Sequence, residues 1–189
     1  MNEIFSNDCC PYAEVEKLLA GARSSVDNFG DYDIILLLIA ATGISLPEAL
    51  KLKWNNVDFE DRSIFIESSP AKKIKICQSV VTELKNMLTD ELVCELVFHD
   101  PNGRRLNPVR FTEDLRKIRE LAGVSDSIGI NTLRFLHGLR LVDLNVHPDV
   151  ICRRLGQETC KYVIDQYYRI KDQETAVEVL EEAGGYWVS

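Results

Sequence analysis

The feature that constrains the fold most strongly is the spacing of apolar residues, which changes from helical to strand-like and then back to helical along the chain. Up to about residue 54 apolar residues recur at helical spacing. Between residues 57 and 76 they alternate with polar residues, as in half-buried strands. The pattern predicts helices at 11–21, 31–42 and 45–54, strands at 57–59, 63–66 and 73–76, and helices at 79–88, 108–122, 132–144, 148–155, 159–168 and 172–183. We therefore expect a mainly helical α+β fold with a small three-stranded antiparallel sheet.

Capping signals define the helix ends around residue 45. Gly43 is the residue type favoured just past a helix end. Ser45 followed three residues later by Glu48 is a capping-box pattern, and Pro47 suits a first helical turn. The sequence therefore predicts a stop and restart between two helices at this point.

Length and composition indicate one domain without a membrane span or a metal. The 189 residues suffice for a single core, and we see no linker, repeat or low-complexity tract, so we expect one domain over 1–189. No run approaches the roughly 18 apolar residues that span a bilayer, and the N-terminus lacks the basic region of a signal peptide. The six cysteines form no Cys-x-x-Cys pair, and the three histidines lack zinc-ligand spacing. We expect free thiols in a reducing cytoplasm, and neither metal nor cofactor.

The charge is acidic overall but unevenly distributed. The formal net charge is −8, which argues against a strong, self-sufficient nucleic-acid binder. Residues 104–156, however, hold ten basic residues against six acidic ones. A local basic face therefore remains compatible with the sequence.

Two segments carry a resemblance to a known family. The stretch from Ala41 to Trp54, followed by the predicted sheet, resembles the first box of the tyrosine recombinase (phage integrase) family. The stretch from Leu133 to Gly156 resembles the second box. The resemblance covers about residues 12–170 and implies the DNA breaking-rejoining catalytic-domain fold. Because it begins almost at the first residue, it also implies that the family's N-terminal core-binding domain is absent.

The family exchanges DNA strands through a tyrosine that attacks a phosphodiester and forms a 3′-phosphotyrosyl link. Two arginines, a lysine and histidines stabilise the charge of the transition state and move protons. Preorganised cations suit this task, and the planar guanidinium fork binds phosphate in a bidentate manner.

The resemblance assigns the retained positions of this site. The family's first arginine falls on Ser45, which cannot supply a positive charge, while the acidic residue of that box is kept as Glu48. The second arginine is kept as Arg134, and the lysine of the hairpin is either Lys72 or Lys73.

The resemblance also identifies substituted positions. Histidines common in the second box are replaced at Asn131, Phe135 and Gln157. The position expected for the family's tyrosine nucleophile is occupied by Gln166. Tyr167 and Tyr168 lie one and two residues after it. Losing one transition-state donor costs on the order of 10²–10³ in rate. We therefore expect several orders of magnitude of lost activity.

Several residues have both a functional and a structural interpretation. Arg134 contacts a phosphate, forms a structural ion pair with Glu48 as one candidate partner, or does both. Tyr167 and Tyr168 include a vestigial nucleophile, or one of them packs in the core and the other faces outward. The remaining basic candidates either contact DNA or are ordinary solvated surface charges: Lys72, Lys73, Lys75, Arg104, Arg105, Arg153 and Arg154. For the three lysines, the structural alternative is a solvated strand edge that blocks pairing with another strand.

Three functions are compatible with the sequence. The first is a catalytically degenerate recombinase that binds DNA, weakly alone, as a regulator or architectural factor. The second is a protein-interaction module that partners an active recombinase or another factor. The third is an active recombinase with a rearranged site. The predicted acidic tail helix within 172–189 is followed by Tyr186-Trp187-Val188, which suggests docking on a second protomer or a protein partner, or back onto its own domain.

Overall fold

The structure is a computed structural model that describes residues 11–24, 30–88, 94–156, 161, 163–165 and 168–169. The chain divides into two compact units, Met1–His137 and Gly138–Ser189. The predicted tail helix at 172–183 lies outside the described residues, as does part of the helix predicted at 159–168. Among the helices that are described, none has the length and apolar character needed to span a bilayer.

The mainly helical α+β fold with a small antiparallel sheet is confirmed. The helices are α1 (Pro11–Ser24), α2 (Tyr32–Thr42), α3 (Leu46–Ala49), α4 (Gln78–Met87), α5 (Pro108–Ala122), α6 (Ile130–Asp143) and α7 (Pro148–Leu155). The strands are β1 (Val57–Asp58), β2 (Ser63–Ile66) and β3 (Lys72–Lys75), and a short 3-10 turn covers Trp54–Asn56.

The helix predicted at 45–54 is shorter in the structure, where it covers only Leu46–Ala49. Residues 52–54 instead bond to a distant segment: Val97 donates its N–H to the Leu52 carbonyl at 2.9 Å, and Trp54 donates to the Glu95 carbonyl at 3.1 Å. This pairing satisfies the backbone in another way, so the local helical pattern is overridden.

The sheet has two different faces. Its strands are antiparallel in the order β1-β2-β3, and Ile64 lies opposite Ile74. Because side chains alternate along a strand, the isoleucines of β2 and β3 share the buried face, whereas Phe65, Lys73 and Lys75 share the opposite, exposed face. The two faces therefore hold different chemistry.

Helix α2 lies in the core of the first unit. Its residues Ile35, Leu36, Leu38 and Ile39 are fully buried, as expected of a helix that is apolar almost all round. It contacts both α1 and α4. This packing holds the C-terminal end of α2, where Gly43 and Ser45 follow.

The second unit has buried apolar residues of its own at Val142, Ile151, Leu155 and Val163. It also contains Cys152, which is disulfide-bonded. The expectation of free thiols is therefore wrong for Cys152, and residue spacing carries no signal of this bond.

The close crossing of α1 and α5 depends on Gly21. A Cβ atom at residue 21 would lie 2.6 Å from the Cβ of Ala122, which is fixed to the backbone of α5. Alanine at position 21 favours the helix by about 1 kcal/mol, whereas overpacking costs about 1–3 kcal/mol. We expect Gly21→Ala to lower the free energy of unfolding, measured in urea, and Ala122→Gly in the same chain to recover part of the loss. A stabilised Gly21→Ala variant would contradict this.

Candidate active site

The backbone turn at Gly43 sets the position of the first box. Gly43 has φ 73°, in the left-handed region, and donates its N–H to the Ile39 carbonyl at 2.8 Å. This closes α2 and redirects the chain so that Ser45 starts α3 two residues later.

Ser45 and Glu48 form the predicted capping box. The N–H of Ser45 donates to Glu48 Oε2 at 2.7 Å, and the Ser45 hydroxyl donates to the same oxygen at 2.9 Å. In return, the Glu48 N–H donates to Ser45 Oγ at 3.4 Å. The side chain at position 45 is therefore bound to a carboxylate and caps α3.

Lys72 completes this cluster from the sheet. Its Nζ lies 3.0 Å from Glu48 Oε1, and the two side chains are only 15% and 17% exposed. Lys73 points to the opposite face of β3, where its Nζ lies 2.6 Å from Asp61 Oδ2. Of the two lysines left open by the sequence, the structure thus places Lys72 beside the acidic residue of the first box.

Glu48 is held in its charged form. Burial alone would raise the pKa of its carboxyl group. The Ser45 N–H, the Lys72 ammonium and the Ser45 hydroxyl act in the opposite direction, and the pKa lies below its ordinary value of 4.5. The cluster therefore contains a persistent negative charge at neutral pH.

Arg134 connects the second box to the first. It lies in α6, and its Nε donates to the Gly43 carbonyl at 2.9 Å in a partly buried position. The structure thus brings Arg134 to the turn that carries Ser45 and gives this side chain a structural role. The interpretation as a phosphate contact stays a prediction.

The charge at this meeting point is small. Lys72 and Arg134 are cations, Glu48 is an anion, and Ser45 is neutral, so one positive charge remains in excess. The arginine that the family pattern places at position 45 would add a second positive charge. The substitution matters because a phosphoryl transition state requires preorganised positive charge.

The substituted and out-of-register positions are only partly described. Asn131 is exposed on α6, and Phe135 is half-buried on the same helix. Tyr168 has helical backbone and an exposed side chain within the second unit. Gln157, Gln166 and Tyr167 lie outside the described residues.

The arginines predicted to contact DNA lie on exposed or half-exposed surface. Arg104 and Arg105 are exposed after a turn, and the Arg104 N–H donates to Asp100 Oδ1 at 2.9 Å. In the second unit, Arg153 is exposed and donates from Nε to the Asp149 carbonyl at 3.2 Å, whereas Arg154 is half-buried. Their contact with DNA remains a prediction.

Asp61 is the residue that the sequence interpretation missed. It lies in the turn between β1 and β2 and forms ion pairs with both Lys73 and Lys75. Strand alternation places the two lysines on one face, but only the register of three strands shows that Asp61 lies within their reach. Among the described residues, no group of three or more His, Cys, Asp or Glu side chains could hold a metal ion.

The helical fold, the small antiparallel sheet and the contact between Arg134 and the turn at Gly43 agree with the catalytic domain that the sequence resemblance implies. The sequence model of the phage integrase family matches residues 11–174. The chain therefore belongs to the phage integrase family. A comparison with curated protein sequences finds no match.

Solved structures share the fold at low sequence identity. XerA recombinase has a TM-score of 0.69 and 19% identity, with 93% of this chain and 64% of that chain covered. XerH recombinase bound to difH, in a pre-cleavage complex, has a TM-score of 0.68 and 20% identity, with 94% and 53% covered. A λ integrase dimer bound to a core site has a TM-score of 0.61 and 18% identity, with 82% and 56% covered. The chain thus spans less than two thirds of each of these three.

The Glu48 cluster predicts a pH-dependent contribution to stability. Because the pKa of Glu48 is lowered in the folded state, its contribution is present above the ordinary value of 4.5 and is lost as pH falls through the folded pKa. We expect Glu48→Gln to lower the free energy of unfolding by about 1.5–3 kcal/mol at pH 7, the range for hydrogen bonds to charged groups. The difference from wild type, measured in urea, should shrink below pH 4.5.

Glu113→Gln, on the exposed side of α5, provides the matched control and should change little. A Glu48→Gln effect of the same size at pH 3 and pH 7 would contradict the assignment of a charged Glu48.

Proposed function

We propose that this chain is a catalytically degenerate tyrosine recombinase that binds DNA without cleaving it, as a regulator or architectural factor in recombination or integration. The observation that carries the proposal is the bond between the Ser45 hydroxyl and Glu48 at 2.9 Å. A serine bound to a carboxylate stands where the family resemblance expects an arginine directed at phosphate. The cytoplasmic location expected from the sequence remains part of this proposal.

The surroundings of Ser45 weaken phosphate chemistry further. Lys72 lies 3.0 Å from Glu48 Oε1, so its charge is largely offset by the neighbouring anion. Removing a single transition-state donor costs on the order of 10²–10³ in rate. Asn131, Phe135 and Gln157 alter further family positions, although the losses of residues that act together do not add simply.

DNA binding is supported by the cations that remain. Arg134 approaches the turn around Ser45, and Arg104 and Arg105 are exposed. XerH, which shares the fold, was solved bound to its DNA substrate. A protein that keeps the fold and part of the basic surface can bind the phosphate backbone without cleaving it.

The ion pairing of other basic residues indicates that this binding is weak. On α5, Arg110 and Lys117 both lie near Asp114, at 3.7 and 2.8 Å, and Arg116 lies 4.0 Å from Glu120. Local acids thus pair with several of the basic residues within 104–156. The second candidate is a protein-interaction module that partners an active recombinase or another factor without DNA contact. The net charge of −8 and the predicted acidic, aromatic tail at 172–189 favour it.

Binding to DNA across a range of salt concentrations separates the two functions. We expect filter binding to a random duplex to weaken linearly in a plot of log K against log salt. Changing Arg104 and Arg105 together to Gln should reduce the slope by about one to two, since each lost phosphate contact removes about 0.9.

Lys17→Gln, on the exposed surface of α1, removes one positive charge elsewhere and provides the control. Its slope should match wild type. Absence of binding by the wild-type chain at about 50 mM salt, a concentration at which phosphate contacts are strong, would contradict the proposal and favour the protein-interaction function.

A further inference from the structure

A single carboxylate on the exposed face of the sheet binds two lysines at once. Asp61 Oδ2 lies 2.6 Å from the Nζ of Lys73, and Oδ1 pairs with the Nζ of Lys75. The Ser63 hydroxyl donates to Oδ2 at 2.9 Å. Two ammonium groups and a hydroxyl therefore converge on the space that this carboxylate occupies.

The backbone holds Asp61 in this position. Its N–H donates to Asp58 Oδ1 at 2.7 Å, and its carbonyl accepts a second bond from Lys75 Nζ at 2.8 Å. The donors from Lys73, Lys75 and Ser63 lower the pKa of the Asp61 carboxyl group well below its ordinary value of 3.8. The carboxylate is therefore charged at neutral pH.

We propose that Lys73, Lys75 and Ser63 form a binding site for a phosphate diester, and that Asp61 is the resident anion that a nucleic-acid phosphate displaces. A phosphate diester presents two oxygen acceptors with one negative charge, as a carboxylate does. Charge-assisted donors that suit one group therefore suit the other.

The exposure of the cluster makes this displacement feasible. The side chains of Lys73, Lys75 and Asp61 are 58%, 66% and 36% exposed, whereas Ser63 is buried. Exposed ion pairs contribute little to stability, so the Asp61 pairs resist displacement only weakly. The strand register keeps both lysines on one face whether or not Asp61 is charged. Asp61 thus competes with an external anion for Lys73 and Lys75, which the sheet already holds on one face.

This site is separate from the cluster around Glu48. Lys72 lies on the opposite face of β3 and pairs with Glu48, whereas Lys73 and Lys75 pair with Asp61. The part of this inference that concerns DNA rests on the proposed function. The chemistry of the anion site does not.

A matched pair of variants tests the site. Asp61→Asn and Glu60→Gln each remove one negative charge from the same turn. Glu60 is exposed and, within the described part of the chain, forms no ion pair. We expect Asp61→Asn to elute from heparin, a sulfated polyanion, at higher salt than Glu60→Gln. In filter binding to a random duplex, we expect it to bind roughly three- to tenfold more tightly and with a slope steeper by about 0.9, the value of one additional phosphate contact.

A second comparison separates direct binding from a change in folding. Changing Lys73 and Lys75 together to Met should lower heparin retention strongly in the Asp61→Asn chain and only slightly in the wild-type chain. Equal retention of Asp61→Asn and Glu60→Gln, or equal losses from the lysine changes in both backgrounds, would overturn the inference.

The two proposals fail in different ways. If no variant binds DNA but Asp61→Asn is retained longer than Glu60→Gln on heparin, the anion site stands and the DNA-binding function is wrong. If wild type binds DNA but the two variants behave alike in both assays, the DNA-binding function stands and the anion site is wrong.

Discussion

The carboxylate of Glu48 is the interaction on which the arrangement of the candidate site depends. It accepts bonds from the backbone and hydroxyl of Ser45 at the start of α3, and it pairs with Lys72 from β3. Two residues before Ser45, the Gly43 carbonyl accepts a bond from Arg134 of α6. The first box, the sheet and the second box thus meet through short polar contacts, which rely on a carboxylate that stays ionised in a partly buried position.

Under the proposed function, the same contacts let a recombinase fold persist without its catalytic chemistry. The capping box requires only a short hydroxyl at position 45, so serine preserves the start of α3. Phosphoryl transfer, by contrast, requires positive charge at that point. Stability and catalysis therefore require different side chains at position 45, and the serine found there serves stability.

Local patterns predicted much of the fold and part of the site. The change of hydrophobic period located the sheet, and the spacing of Ser45 and Glu48 predicted the capping box that the structure contains. The end of α3 at Ala49 could not be predicted, because it depends on pairing with residues 95–97. The choice between Lys72 and Lys73 likewise required the strand register, which sets the face that each lysine occupies.

Covalent trapping on nicked suicide duplexes of random sequence tests the central claim most directly. We expect no protein–DNA adduct on denaturing gels for the wild-type chain, and none for Ser45→Arg, because Asn131 and Gln157 remain substituted. An adduct formed by wild type and lost in Tyr167→Phe or Tyr168→Phe would contradict the account. Efficient cleavage by Ser45→Arg alone would show that the defect lies at position 45 only.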